Sequence, residues 1–306
     1  MHENVNQNII DEMMVSAKTC AGMEINMKST LRRTWAEIDL DALAHNYKTL
    51  RKRIGDNVKF LGVVKADAYG HGSVQVSRLL EELGADYLAV SSIDEAIELR
   101  HNGITMPILI LGHTPKEEVG ELIKNNITQA VTCKAKALEY SEEAVKCGGI
   151  LKIHIKVDTG MSRIGLTPDE NGVEIIKKIS ELGNIVIDGI FTHFATADAS
   201  DKTYALEAYN KFRNFKKRCV ESGISIPIWH CANTASIIDG IGLDDDMDMV
   251  RCGVGLYGMY PSEEVSHTNV NLAPAMLWYS YVTRIKELEP GTSVSYGYTF
   301  TADKKM

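Results

Sequence analysis

Two hydrophobic rhythms alternate along this chain. Short apolar runs at 60–64, 87–90, 108–111, 129–132, 151–157, 185–191, 226–229 and 249–250 are rich in β-branched and aromatic residues and predict eight strands. Stretches with a helical period lie between them, for example 94–100 and 201–222, with only a short one at 235–238 between the seventh and eighth strands. Ahead of these, residues 34–38 predict a further strand. Leu40, Leu43, Tyr47, Leu50 and Ile54 then predict a helix that starts at Asp41 as N-cap and stops at Gly55. Strands alternating with helices pair in parallel and carry the helices outside. Eight such repeats in roughly 200 residues fit an α/β fold, a (β/α)8 TIM barrel, with a doubly wound open sheet as the rival. Beyond Tyr260 the texture changes: a strand over 278–287, a turn at Pro290-Gly291 and a strand over 294–300. The expected organisation is a flexible N-terminal extension (1–32), a barrel domain (33–258) and the start of a C-terminal β-domain (259–306). Residues 33–40 are also open to a reading as a strand that joins the β-domain.

Composition narrows the class. With 44% hydrophobic and 24% charged residues over 306 positions, the chain has the make-up of a globular protein and can bury a sizeable core. A net charge of -8 argues against nucleic acid as partner. No apolar run is long enough for a membrane span, and the polar first thirty residues lack a signal-type core, so the expected location is the cytoplasm. Six cysteines without C-x-x-C spacing speak against zinc ribbons and thioredoxin chemistry; free buried thiols and no metal are expected.

Barrel active sites form at the C-terminal ends of the strands, and chemistry-bearing residues collect there. The first of the eight strands delivers Lys65, followed by Tyr69, Gly70 and Gly72. A lysine there either snorkels to solvent or, partly desolvated, becomes a nucleophile able to form a Schiff base. The fifth brings Lys156 and, past Gly160, the donor fork of Arg163. The sixth brings His193, and the seventh His230, Asn233 and Thr234, of which the last two also suit a helix cap. The eighth brings Arg251 and the turn Gly253-Val254-Gly255, whose amides suit a phosphate. The run 244–246 reads as a solvated loop. Lys65, Arg163, His193, Asn233 and Arg251 at five separate strand ends converge on one site.

The segments VVKADAYGHG, KVDTGMSRIG, HFATAD, HCANTAS, MVRCGVGLYG and VSYGYTFTA make the chain similar to the alanine racemase family from about Arg33 to Ala302. The resemblance implies a pyridoxal phosphate (PLP) barrel, a C-terminal β-domain and a homodimer with shared active sites. It implies interconversion of L- and D-alanine, the latter for peptidoglycan. By motif, Lys65 links PLP and is one catalytic base; Tyr296, from the other subunit, is the second. Tyr69, Thr234, Gly253 and Val254 hold the phosphate, with Thr234 where serine is more familiar, and Tyr257 belongs to the same cofactor-binding set. Arg163 meets cofactor and substrate, and Lys156 stands where a carbamylated lysine occurs. His193 and Arg251 extend a hydrogen-bond chain from Tyr296 toward the pyridine nitrogen, while His230 and Asn233 line the pocket. Ser162 stands where glycine is common. The chain ends shortly after VSYGYTFTA, inside the expected β-domain. A PLP-binding barrel without turnover and a serine racemase are the alternatives; a decarboxylase is disfavoured, because it needs an acid where Arg251 stands.

Overall fold

Eight strands close on themselves: β2 (Lys59–Val63), β3 (Tyr87–Val90), β4 (Ile108–Ile110), β5 (Ile127–Val131), β6 (Leu151–Lys156), β7 (Ile185–Phe191), β8 (Ile228–His230) and β9 (Met249–Cys252). Every neighbouring pair is parallel, and β9 returns to β2 with Leu61 opposite Arg251. Closure excludes the open sheet. The computed structural model describes residues 33–244 and 246–306, so the expected extension, Cys20 and Asp245 lie outside it.

The helices follow from the apolar period. They are α1 (Leu40–Ile54), α2 (Ser73–Glu82), α3 (Ile93–His101), α4 (Val119–Lys124), α5 (Lys134–Cys147), α6 (Glu170–Ser180), α7 (Thr203–Glu221) and α8 (Thr234–Asp239). Helix α1 ends at Gly55 as expected, but its N-cap is Asp39 and not Asp41. Asp39 has extended backbone and accepts the Ala42 amide, whereas Asp41 already lies in the first turn, where its charge favours the helix dipole.

Strand alternation divides the core. Phe60, Leu88, Ile108, Ile110, Ile153 and Ile155 belong to the large cluster that also takes in the helices. Their neighbours Leu61, Val63, Tyr87, Ala89, Leu109, Ile228 and Met249 form a second cluster inside the barrel. By the same period of two, His154, Lys156, His230 and Arg251 also face inward, and all four are buried. Polar side chains from β6, β8 and β9 therefore share the barrel interior with this apolar cluster.

The chain divides into two compact units. One comprises Glu37–Leu277; the other takes the segment up to Ala36 and Trp278–Met306. Strand β1 (Thr34–Ile38) pairs with β10 (Met276–Ser280), and in the second unit Trp35 stacks on Tyr279. The strand expected over 278–287 stops at Ser280, since its partner β1 has only five residues to offer. The strand expected over 294–300 is a hairpin of β11 (Ser293–Val294) and β12 (Phe300–Thr301) instead. Ser295, Gly297 and Tyr298 have positive φ and turn the backbone between them. Five free cysteines are described; Cys219, Cys231 and Cys252 are buried as expected, but Cys133 and Cys147, flanking the ends of α5, are exposed.

Candidate active site at the mouth of the barrel

A cavity of about 600 Å³ opens at the C-terminal ends of the strands, and residues following all eight strands line it. Lys65, Tyr69, Lys156, Arg163, His193, Asn233, Thr234, Arg251, Gly253 and Val254 are all on its wall. Among the described residues, Asp198, within the HFATAD segment, is the wall's one carboxylate against four cations.

Lys65 leaves β2 into a left-handed turn. Ala66, Asp67, Ala68 and Tyr69 all have φ near +50°, which costs non-glycine residues about 1–2 kcal/mol each. Hydrogen bonds hold the turn: Ser73 N to Asp67 Oδ1 (2.7 Å), Ala68 N to Val64 O (2.9 Å) and Ala66 N to Glu95 Oε1 (2.7 Å). The turn brings the Tyr69 ring within 5.9 Å of Lys65 Nζ. Burial raises the Tyr69 phenol above its ordinary pKa, so it stays a hydrogen-bond donor at neutral pH.

Opposite, Asn233 caps α8 by accepting the Ser236 amide, and Thr234 Oγ1 accepts the amides of Gly253 (3.1 Å) and Gly255 (3.4 Å). A Cβ on Gly253 would lie 3.1 Å from Tyr69 Oη, and one on Gly255 2.6 Å from Thr234 Cγ2. These two glycines keep the turn close to both hydroxyl side chains.

Arg251 is only 4% exposed. Its guanidinium donates to the carbonyls of Thr192 (2.7 Å), Cys231 (3.0 Å) and His230 (3.3 Å), and to Nδ1 of His193 (3.1 Å) and of His230 (3.0 Å). No carboxylate is among these partners. Burial pulls its pKa down to about 10, still far above neutrality. Burial together with Arg251, Lys156, Arg163 and Lys65 pushes His193 down to about 3, so His193 is neutral and accepts from Arg251. Lys156, buried and facing Arg251, is lowered to about 8; its Nζ donates to Val157 O. The Phe191 ring lies 5.5 Å from Arg251 Cζ and 5.7 Å from Lys156 Nζ, presenting its face to both cations. Arg163 is exposed on a loop organised by Asp158, which accepts the amides of Gly160 and Ser162.

Three expected site residues lie elsewhere. Tyr257 stands behind the wall, fully buried, edge-on to Tyr69, with its hydroxyl donating to Val63 O. His230 is not on the wall but beneath Arg251: the last residue of β8, it points into the barrel, and its Nδ1 lies 3.0 Å from Arg251 Nη1. Tyr296 belongs to the other compact unit, on the hairpin turn, and is 99% exposed. Glu95 and Asp198 were not singled out from sequence. Glu95 sits in an ordinary amphipathic helix and acquires its role only through a contact 29 residues away.

The family profile described as "Alanine racemase, N-terminal domain" matches residues 38–261. An alanine racemase of Methanococcus maripaludis is 48% identical over 271 residues, 89% of this chain and 72% of that protein. Among solved structures, an alanine racemase of Clostridium difficile 630 superposes with a TM-score of 0.82 at 43% identity, covering 90% of this chain and 72% of that one. A histidine racemase of Leuconostoc mesenteroides subsp. sake superposes at 0.79 with 28% identity, over 90% and 73% of the two chains.

Proposed function

This chain belongs to the alanine racemase family, and from that premise we propose that its barrel binds PLP and interconverts L- and D-alanine, with the second base supplied by a partner subunit. The observation that carries the reading is Lys65 held by a strained turn on the wall of a cavity with four cations and one carboxylate.

The cavity's donor set fits PLP. A phosphate needs converging donors, and Tyr69, Thr234 and the Gly253-Val254 turn stand together on the wall, with glycines where a Cβ would crowd them. The amine of Lys65 suits an aldehyde, and Arg251 is a fixed donor for a ring nitrogen. When bound, PLP supplies an electron sink that acidifies the Cα–H of an amino acid joined to it.

Racemisation removes that proton on one face and returns it on the other. Lys65 holds the proton on one face; Tyr296 of the partner subunit does so on the other. Its almost complete exposure supports a role outside its own protomer. Arg251 keeps its own proton, so toward the ring nitrogen of bound PLP it would offer a hydrogen bond and not a proton, and the electron sink so supplied would be moderate, which suits prompt return of the proton. Arg163 offers two parallel donors to the substrate carboxylate. Lys156, with its lowered pKa, has a neutral fraction able to take up carbon dioxide, and the carbamate would face Arg163 as an anion. The D-alanine formed would serve peptidoglycan synthesis in the cytoplasm.

Borohydride reduction of the PLP-loaded chain followed by peptide mapping tests the core of this reading. The pyridoxyl group is expected on Lys65, and Lys65→Ala is expected to slow alanine racemisation on the order of 1000-fold. Serine is the control substrate. Label on another lysine, or no turnover of alanine by the unaltered chain, would overturn it.

A further inference from the structure

Beneath the cavity floor four polar side chains run in file through the barrel interior. Arg251 Nη1 lies 3.0 Å from His230 Nδ1, and His230 Nε2 lies 3.0 Å from His154 Nδ1. His154 Nε2 lies 3.5 Å from Asp188 Oδ2, which also accepts the Tyr87 hydroxyl at 2.6 Å.

The two charged ends of this file, Arg251 and Asp188, require the same placement of its protons. A guanidinium has donors only. His230 Nδ1 therefore accepts, its proton sits on Nε2, and that proton goes to His154 Nδ1. The proton of His154 then sits on its own Nε2. That atom is buried and makes no hydrogen bond of ordinary geometry; what it faces is the Asp188 carboxylate, somewhat beyond normal hydrogen-bond length.

The backbone is shaped around this approach. On the β6–β7 ladder Ile153 pairs with Ile187 but His154 pairs with Gly189, so Asp188 is the extra residue of a bulge. Bulges re-aim side chains and are rare between parallel strands. A Cβ on Gly189 would lie 2.5–2.8 Å from the ring atoms of His154, so a glycine makes the room for the imidazole. Burial lowers the pKa of both histidines, and the facing His154 ring together with the Tyr87 hydroxyl holds Asp188 down at about 2. The file is thus a cation and an anion joined by two neutral rings.

We propose that Asp188 is a positioning residue for the chemistry at the mouth. Through the single tautomers of His154 and His230 its carboxylate holds the Arg251 donors in orientation and supplies the negative charge missing from the guanidinium's own contacts. This rests on the racemase reading for its effect on rate, but not for its effect on the histidines.

Nitrogen-15 histidine spectra of the full chain without added PLP, beside kcat and KM for alanine with PLP, test it in Asp188→Leu, Asp188→Asn and Tyr87→Phe. The unaltered protein is expected to show His154 protonated on Nε2 and His230 likewise. Asp188→Asn retains an acceptor and is expected to keep these tautomers and most of kcat. Asp188→Leu is expected to mix the His154 tautomers and to lower kcat about tenfold with little change in KM. Tyr87→Phe is expected to move both readouts the same way by less, and reads the same signature if the leucine variant does not fold. Unmixed His154 tautomers in Asp188→Leu, or in Tyr87→Phe should the leucine variant not fold, would overturn the proposal, as would an unchanged kcat. Absence of racemisation by the unaltered chain would instead strike the function proposed above, since the spectra need no turnover.

Discussion

Glu95 Oε1 accepts the Ala66 amide at 2.7 Å, the first peptide after Lys65, while its Oε2 accepts the amide and the hydroxyl of Ser91 at 2.7 and 2.9 Å. One carboxylate on α3 thus clamps two strand ends. Glu95→Ala is expected to destabilise the protein by about 1–2 kcal/mol and to weaken cofactor binding, because the turn then relaxes away from φ values that are unfavourable on their own. Glu95→Gln, whose amide cannot accept on both sides, is expected to fall between. Urea denaturation and a PLP titration read both effects; a wild-type midpoint in Glu95→Ala would refute the clamp.

Lys156 carries a pH dependence whose sign is opposite to that of a salt-bridged lysine. Its pKa is about 8 in the folded chain against an ordinary 10.5, so the unfolded chain binds more protons between those values and stability rises through that window. The gap corresponds to about 3 kcal/mol against folding at pH 7. Lys156→Met is expected to be more stable than the unaltered chain at pH 7 in bicarbonate-free buffer, with the difference shrinking toward pH 10.5. A difference independent of pH would show that burial of the charge is not its cause.

Thr234 is expected to tolerate serine and not valine. Its hydroxyl accepts two amides of the Gly253–Gly255 turn, and serine keeps that oxygen. Valine leaves both amides without their acceptor, at about 1–3 kcal/mol. PLP affinity in Thr234→Ser should stay near wild type and fall about tenfold in Thr234→Val, a change worth about 1.4 kcal/mol. Equal affinities in the two variants would remove Thr234 from the anion site.

Ser162 has φ of +56°, which explains why glycine suits this position. Ser162→Gly relieves left-handed strain of about 1–2 kcal/mol and gives back part of it through the freer unfolded chain. A net gain of about 0.5–1 kcal/mol is expected, with the Asp158 hydrogen bond to this amide unchanged. A lower melting temperature would contradict it.

The barrel was legible because parallel strands covered on both faces write apolar runs, and strand ends write the polar residues that follow. Lys65, Arg163, Asn233 and Arg251 could be placed at the mouth on that ground alone. His154 and Asp188 were equally visible as polar letters inside LKIHIK and IVIDGIF. Their meaning depends on a bulge and on which strands become neighbours, and neither is local. Residues 278–287 have the composition of a strand, yet a strand exists only as far as a partner runs beside it. Asp39 and Asp41 are both plausible caps by residue type, and backbone conformation two residues apart decided between them.

The contrast between a chain of net charge -8 and a cavity wall with four cations and one carboxylate has a consequence for how molecules arrive. At distances beyond about 8 Å in physiological salt, the field of the body is screened, and what remains of it disfavours anions. Within that distance the mouth attracts them. Alanine, a zwitterion, has no net charge for the outer field to repel, but its dipole is turned so that the carboxylate enters ahead of the ammonium group. Raising ionic strength should therefore speed the approach of anionic competitors relative to alanine, making salt a lever on selectivity that leaves every side chain in place.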